Sequence, residues 1–263
     1  MEAEPLNAIA VDGVHIVYRT VGKGPPLVVL NGFGATITDW DPSFIDRLAS
    51  SNKLILLNNR GVGGSTDDGQ SFDIAKLADD TASVVETLGV ERVNVLGWSM
   101  GGFIAQAFAL RYADRVDKLV LLSTDPGGIE AERASPDVWS QLIDTSGTPN
   151  EQARRLLFLL FPKDVAESFY REFGDIVAAA RAQLSVELLK RQAWAMDAWH
   201  RNGVASQLRE IRVPVLIAAG TEDIVIPASN ALKLVTAISG AWLAQFPQGG
   251  MPSWRNIHNS SPI

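Results

Sequence analysis

The sequence contains no cysteine. This absence excludes disulfide bonds, a thiol nucleophile and thiolate metal ligands together. Only three histidines are present, His15, His200 and His258, and none of them has a carboxylate or a second histidine at ligand spacing. Because a metal site needs several such side chains close together, we expect no metal and no other cofactor.

Basic clusters and long hydrophobic runs are also missing. The formal net charge is −7, with lysine and arginine scattered, and such a surface repels phosphate, so we expect no nucleic-acid partner. The longest apolar runs, residues 156–161 and 213–219, are too short to span a bilayer, so we expect no membrane partner. The acidic start of the chain predicts a cytoplasmic protein without a secretory signal. The oligomeric state cannot be read from the sequence.

Short apolar segments alternate with helix-like segments along most of the chain. Val14–Val21 alternates as half of an early hairpin. Apolar runs typical of buried strands follow at residues 27–30, 54–57, 93–96, 119–122, 213–219 and 241–246. Helical patterns lie between the first of these runs, at residues 39–49, 73–88 and 103–112. This alternation predicts an α/β fold with a doubly wound, mostly parallel sheet.

Residues 136–210 interrupt the alternation, because they carry helical patterns only. A helical insertion between two core strands forms a cap over the carboxyl edge of the sheet, where open α/β sheets bind ligands. We therefore divide the chain into a core, residues 1–135 and 211–263, and a helical cap, residues 136–210. Several apolar side chains of the cap suit an aliphatic or aromatic acyl group, although helical spacing makes them more typical of the cap's own core: Leu156, Leu157, Phe158, Leu160, Phe161, Trp194 and Trp199.

The most specific motif is Gly-Trp-Ser-Met-Gly-Gly at residues 97–102, between a predicted strand and a predicted helix. In this context G-x-S-x-G is typical of a nucleophile elbow, a tight turn that holds a serine in an unfavourable backbone conformation. The helix N-terminus behind Ser99 favours developing negative charge. The simpler alternative is an ordinary Gly/Ser turn, but the flanking elements favour Ser99 as a nucleophile.

Two other strand ends carry groups that suit such a serine. At residues 31–34, Asn-Gly-Phe-Gly, backbone N–H groups can face an oxyanion together with the N–H of Met100. Asp223 follows the strand at 213–219 and suits the acid that orients a histidine, or alternatively caps the helix that begins near Pro227. The reserve candidates for the acid are Glu222 and Asp125.

In this order, the motifs at residues 31–34, 58–65, 97–102 and 220–227 resemble those of the α/β-hydrolase superfamily. The resemblance is to its capped, cofactor-free group of esterases, haloperoxidase-like enzymes and C–C-bond hydrolases. It implies the α/β-hydrolase fold, a serine nucleophile and a triad acid. It also implies an oxyanion hole built from two backbone N–H groups. The corresponding residues are Ser99, Asp223, and Phe33 with Met100 for the oxyanion hole.

One position departs from this pattern in kind. Met251 stands after two glycines, where the family has its catalytic histidine, and the sequence ends without the family's closing helix. Without a base a serine hydroxyl is a poor nucleophile, and loss of the triad histidine lowers kcat on the order of 10⁶-fold. His258 is the alternative base, but the turn-like composition around it favours a solvated tail histidine. We hypothesise that a one-base shift in the reading frame near Gly250 changed the end of the chain. The ending that was lost would resemble the family's and would carry His at position 251.

Two functions follow from these observations. The first is a serine hydrolase that forms an acyl-enzyme on Ser99 with a small ester, thioester or related acyl or C–C substrate, impaired because Met251 replaces the histidine. The second is a catalytically inactive protein of the same fold that binds a small apolar or acyl molecule. The intact serine motif favours the first function, and the absent histidine favours the second.

Overall fold

The computed structural model describes residues 5–251, and the described part of the chain contains eight strands and eight α-helices. The strands are β1 Asn7–Val11, β2 Val14–Val21, β3 Pro26–Leu30, β4 Lys53–Leu57, β5 Val93–Trp98, β6 Val116–Leu122, β7 Val215–Gly220 and β8 Trp242–Phe246. The helices are α1 Pro42–Ala49, α2 Ile74–Thr87, α3 Met100–Arg111, α4 Pro136–Ile143, α5 Pro149–Leu160, α6 Lys163–Ala182, α7 Val186–Asn202 and α8 Ser229–Ala237.

The strands form one sheet in the order β1-β2-β4-β3-β5-β6-β7-β8. Only the first two pairings, β1 with β2 and β2 with β4, are antiparallel, and the other pairings are parallel. The predicted α/β class with a mostly parallel sheet is therefore confirmed. One boundary differs in an informative way: α3 begins at Met100 rather than at residue 103, because the serine turn leads directly into the helix.

Alternate residues of the central strands face opposite sides of the sheet, as the period of a strand requires. In β3, Val28 and Leu30 belong to one hydrophobic cluster, which helices α2, α3 and α8 cover. Leu27 and Val29 belong to a second cluster on the other face, where the aromatic ring of Phe44 from α1 packs. Complete burial on both faces explains why the central strands read as continuous apolar runs.

The second face is less well covered at β7 and β8. Leu216 of β7 pairs in register with Trp242 of β8, and both side chains are exposed, Trp242 by 77%. Along the same face, Ala218 and Ala244 join the second cluster. The described residues therefore leave an apolar strip open at this end of the sheet.

The chain between β6 and β7 is helical, from α4 to α7, followed by a 3₁₀ segment Ala205–Glu210. Thr148 forms a capping box with Glu151 at the start of α5, which fixes the turn between the first two helices. We call residues 136–210 the helical insertion, and its treatment as a separate cap stays a prediction. Within residues 5–251 no helix is long and apolar enough to cross a membrane.

Candidate active site

Ser99 occupies the single residue between β5 and α3, in a strained backbone conformation with φ of 57° and ψ of −124°. Its N–H donates to Leu122 O of β6, and its carbonyl accepts from the hydroxyl of Thr124 at 3.0 Å. A serine rarely adopts a positive φ, which persists only where the surroundings hold it. The turn has the backbone geometry of the predicted nucleophile elbow.

The glycines of the motif are required by close packing around this turn. A Cβ atom at Gly97 would collide with the backbone of Gly101, and one at Gly101 would collide with Leu30 O of β3. A Cβ atom at Gly102 would collide with the side chain of Thr124. The spacing in G-x-S-x-G-G is therefore what allows α3 to leave the sheet edge directly below Ser99.

The predicted oxyanion loop, residues 31–34, lies against the serine. A Cβ atom at Gly32 would be 3.2 Å from Ser99 Cβ, so the loop backbone and the serine are in close contact. Asn31 fixes the loop from below, because its amide donates to Leu57 O and its oxygen accepts from the Trp40 indole. Among the described residues, the N–H of Phe33 donates no hydrogen bond, and Met100 N is the first orphan N–H of α3. The role of these two N–H groups as oxyanion donors stays a prediction.

Asp223 lies in the loop that follows β7 and is 6% exposed. Its Oδ1 accepts the N–H groups of Val225 and Ile226, at 3.0 and 2.8 Å, whereas Oδ2 has no partner among the described residues. Burial raises the pKa of the carboxyl group to about 7, against the opposing effect of the two N–H bonds and of Ser123. The alternative role as a helix cap is wrong, since the N-cap of α8 is Ala228, and the reserve acid Glu222 is exposed.

Met251 is 2% exposed and is held from both sides through its backbone. Its N–H donates to Leu160 O at the end of α5, and its carbonyl accepts from the Ser123 hydroxyl at 2.6 Å. A Cβ atom at Gly250 would collide with the same Leu160 carbonyl, which explains why position 250 is a glycine. Because Ser123 also lowers the pKa of Asp223, position 251 and the acid share one neighbour.

No hydrogen bond joins the Ser99 hydroxyl to an imidazole within residues 5–251. The side chain of His15 is exposed on β2. His200 is engaged elsewhere, and His258 lies outside the described residues. The described site therefore contains a serine and a buried acid without a base between them.

Asp125 and His200 form a buried pair that the sequence analysis did not predict. Asp125 Oδ2 lies 3.1 Å from His200 Nε2, and its Oδ1 accepts from Gly127 N and from the Trp199 indole. The imidazole sits edge-on to the rings of Phe103 and Trp139. The pair joins α7 of the helical insertion to the end of β6, and no local sequence signal links two residues 75 positions apart.

Two clefts, of about 610 and 680 Å³, open on the described surface, and Ser99 lines neither. The larger runs between α4, α5 and Ile224, which is next to Asp223. Ser99 itself is 7% exposed. Within the described residues, no group of three histidine, aspartate or glutamate side chains is arranged to hold a metal ion.

A mostly parallel sheet with a strained serine after its central strand defines the class of α/β-hydrolase folds. The chain belongs to the alpha/beta hydrolase fold family, whose model matches residues 25–250.

Similar proteins carry several hydrolase and peroxidase names. A putative carbamate hydrolase, RutD, of Azorhizobium caulinodans is 27% identical over 239 residues, which are 89% of this chain and 87% of that protein. A putative non-heme bromoperoxidase, BpoC, of Mycobacterium tuberculosis is 26% identical over 249 residues, 90% of each chain. The solved structure of a hydrolase from Pseudomonas aeruginosa is 26% identical, with a TM-score of 0.80 over 97% of this chain and 94% of the other.

Proposed function

We propose that the chain is built as a serine hydrolase that transfers a small acyl group to Ser99, and that Met251 leaves it without its base. The observation that carries this proposal is the buried carboxylate of Asp223, whose Oδ2 has no partner among the described residues, in a chain whose Ser99 has an elbow conformation. A buried carboxylate oxygen without a partner is unusual in a folded protein, and a place that receives an imidazole would account for it.

The chemistry follows from the arrangement of these groups. Attack of Ser99 Oγ on an acyl carbon develops negative charge on the acyl oxygen, and the N–H groups of Phe33 and Met100 are the proposed donors to it. The serine proton has to leave during the attack, and in a Ser-His-Asp triad an imidazole accepts it. Asp223 would hold that imidazole through Oδ2, since Oδ1 is already occupied.

The proposed substrate is a small ester, thioester or related acyl or C–C compound. The names of the relatives, a carbamate hydrolase and a non-heme bromoperoxidase among them, support this range without selecting within it. Ser99 is only 7% exposed, and Gln192 of the helical insertion bonds to Gly34 in the loop beside it. We therefore propose that the insertion acts as a cap whose movement admits the substrate. The cytoplasmic location stays a prediction.

A second candidate is an inactive protein of this fold that binds a small molecule. The observation in its favour is that position 251 is methionine and that its side chain is packed within the hydrophobic core. In such a protein Ser99 would be retained as part of a pocket without forming an acyl-enzyme.

Covalent labelling by a fluorophosphonate separates the two functions. We expect weak labelling of the unmodified chain and a gain of roughly ten- to a hundredfold in the labelling rate for Met251→His, because general-base assistance contributes on the order of 10²–10⁴-fold when fully aligned. Mass spectrometry of the labelled peptide should locate the adduct on Ser99.

Two double variants are the controls. Met251→His with Ser99→Ala should abolish labelling, and Met251→His with Asp223→Asn should cancel most of the gain, because the imidazole then loses its carboxylate. Labelling that persists without Ser99, or a gain that is insensitive to Asp223, would reject the proposed function in favour of the binding protein.

A further inference from the structure

Arg181 is a charged residue on the buried face of the helical insertion. It lies in the last turn of α6 and follows Gly174 and Ala178 on the face that packs inward. Its side chain is 8% exposed, and its Nε has no hydrogen-bond partner within residues 5–251. Buried arginines are normally paired with an acid, so this one requires an explanation.

No described carboxylate satisfies Arg181. Asp39 attracts it, but the Oδ2 of Asp39 accepts from the N–H and the hydroxyl of Thr36. A second cation, Arg155, acts on Arg181 through its charge, and Arg155 forms its own ion pair with Asp144 at 3.3 Å. Burial lowers the pKa of Arg181, and the charge of Arg155 lowers it further. The guanidinium therefore lies in surroundings that an added anion would stabilise.

Gln192 of α7 brings a second unused donor to the same place. Its Oε1 accepts from Gly34 N at 2.8 Å, whereas its Nε2 has no partner among the described residues. A Cβ atom at Gly34 would lie 3.1 Å from an Arg181 terminal nitrogen. Both side chains of the insertion thus meet the same glycine, and both keep donors without acceptors.

That glycine belongs to the oxyanion loop. Gly34 follows Phe33 directly, and Gly32 is the residue in contact with Ser99. Two residues of chain separate the Cα atoms of Gly32 and Gly34 by at most about 7 Å. A ligand whose acyl carbon sits at Ser99 would therefore need a chain of several atoms to reach Arg181.

We propose that Arg181 and Gln192 form a carboxylate-binding subsite, and that the substrate carries a carboxylate several atoms away from its reacting acyl group. An arginine fork and an amide donor suit the two oxygens of a carboxylate, and both are held by the insertion against the oxyanion loop. The proposal rests on the proposed function, because it names the substrate class of the same site.

Binding measured by calorimetry tests the subsite without turnover. The probes are monomethyl succinate, monomethyl adipate and monomethyl suberate, with the dimethyl esters as neutral counterparts. We expect at least one half-ester to bind the full chain ten times or more tightly than its dimethyl ester. Arg181→Met should remove this preference while leaving the weak affinity for the dimethyl ester unchanged.

Thermal unfolding shows whether Arg181→Met is folded, so that a loss of binding can be assigned to the missing guanidinium. Because Arg181 is buried without a partner, Arg181→Met should leave Tm unchanged or raise it by roughly 2–4 °C. The matched control is Arg154→Met, which removes one cation from α5, where Arg154 stacks on Phe158, and which should keep the preference for the half-ester.

Three results would overturn the subsite: equal affinity for half-esters and dimethyl esters, a preference that survives in Arg181→Met, or the same loss in Arg154→Met. If Arg181→Met fails to fold, Gln192→Leu takes its place and should weaken the half-ester at least threefold. These outcomes are independent of Ser99 labelling. Half-ester binding through Arg181 without labelling would reject only the hydrolase, and labelling without the preference would reject only the subsite.

Discussion

Two buried aspartates lie at equivalent places on neighbouring strands, and they differ in what surrounds them. Asp125 is three residues beyond β6, and Asp223 is three residues beyond β7. Both oxygens of Asp125 have partners: Oδ1 accepts from Gly127 N and the Trp199 indole, and Oδ2 pairs with His200. In Asp223, Oδ1 accepts two backbone N–H groups, whereas Oδ2 has no partner within hydrogen-bond distance among the described residues.

We propose that this difference separates a structural acid from a functional one. Asp125 pairs with His200 and links the helical insertion to the end of β6. Asp223 keeps Oδ2 without a partner among the described residues, and in the proposed function an imidazole at position 251, which is Met251 here, would fill that place. A buried carboxylate with an empty oxygen costs stability when it ionises, and proteins keep such groups at sites of chemistry.

Replacing Asp223 by asparagine should produce the largest effect on stability. The raised pKa, about 7 against 3.8 for the unfolded chain, means that the folded state binds the extra proton between these values. The contribution of Asp223 to the free energy of unfolding should therefore be most favourable below pH 4. It should fall as pH rises from 4 to 7 and stay constant above pH 7. The loss is about 4 kcal/mol.

In Asp223→Asn the side-chain oxygen still accepts from Val225 and Ile226, and the buried charge is gone. Urea unfolding at pH 8 should show a gain of about 2–4 kcal/mol over the unmodified chain, with little difference at pH 4.5. Equal stabilities at pH 8 would mean that Asp223 has a partner in solution.

Asp125→Asn should change stability in the opposite direction. Its oxygen keeps Gly127 and Trp199, but the ionised acceptor facing His200 is replaced by an amide. We expect a loss of about 1–3 kcal/mol at pH 8, because hydrogen bonds to charged groups are worth more than neutral ones. The same urea experiment measures it, and a stabilised Asp125→Asn would remove the contrast between the two acids.

The smallest expected effect is that of Ser123→Ala. The hydroxyl donates to Met251 O and lowers the pKa of Asp223. Its removal should destabilise the protein by about 1 kcal/mol and move the midpoint of the pH dependence upward. The control is Ser83→Ala, whose hydroxyl bonds within α2 and should leave that midpoint unchanged.

The sequence predicted the fold because the strands are short, apolar and regularly separated. It predicted that Ser99 and Asp223 lie at strand ends, because Ser99 directly follows one apolar run and Asp223 closely follows another. It did not predict the pairing of Asp125 with His200, because the two residues are 75 positions apart and no local pattern links them. The contacts of Arg181 and Gln192 with Gly34 were also missed. These contacts depend on how the helical insertion docks on the sheet, which periodicity within a helix does not specify.

The conformation of Ser99 illustrates the opposite case. The glycines at 97, 101 and 102 indicate that there is no room for a side chain at these positions. In the structure, a Cβ atom at 97 or 101 would collide with backbone atoms, and one at 102 would collide with the side chain of Thr124. A local motif whose residues are required by close packing can be predicted from the sequence. The partner of a buried charged side chain cannot, because it comes from a distant part of the chain.

Ester hydrolysis by the unmodified chain tests the central claim most directly, namely that the site has a nucleophile and an acid but no base. We predict that p-nitrophenyl butyrate turnover equals that of Ser99→Ala within error, and that His258→Ala changes nothing. Turnover far above Ser99→Ala that His258→Ala abolishes would contradict the claim and identify His258 as the base.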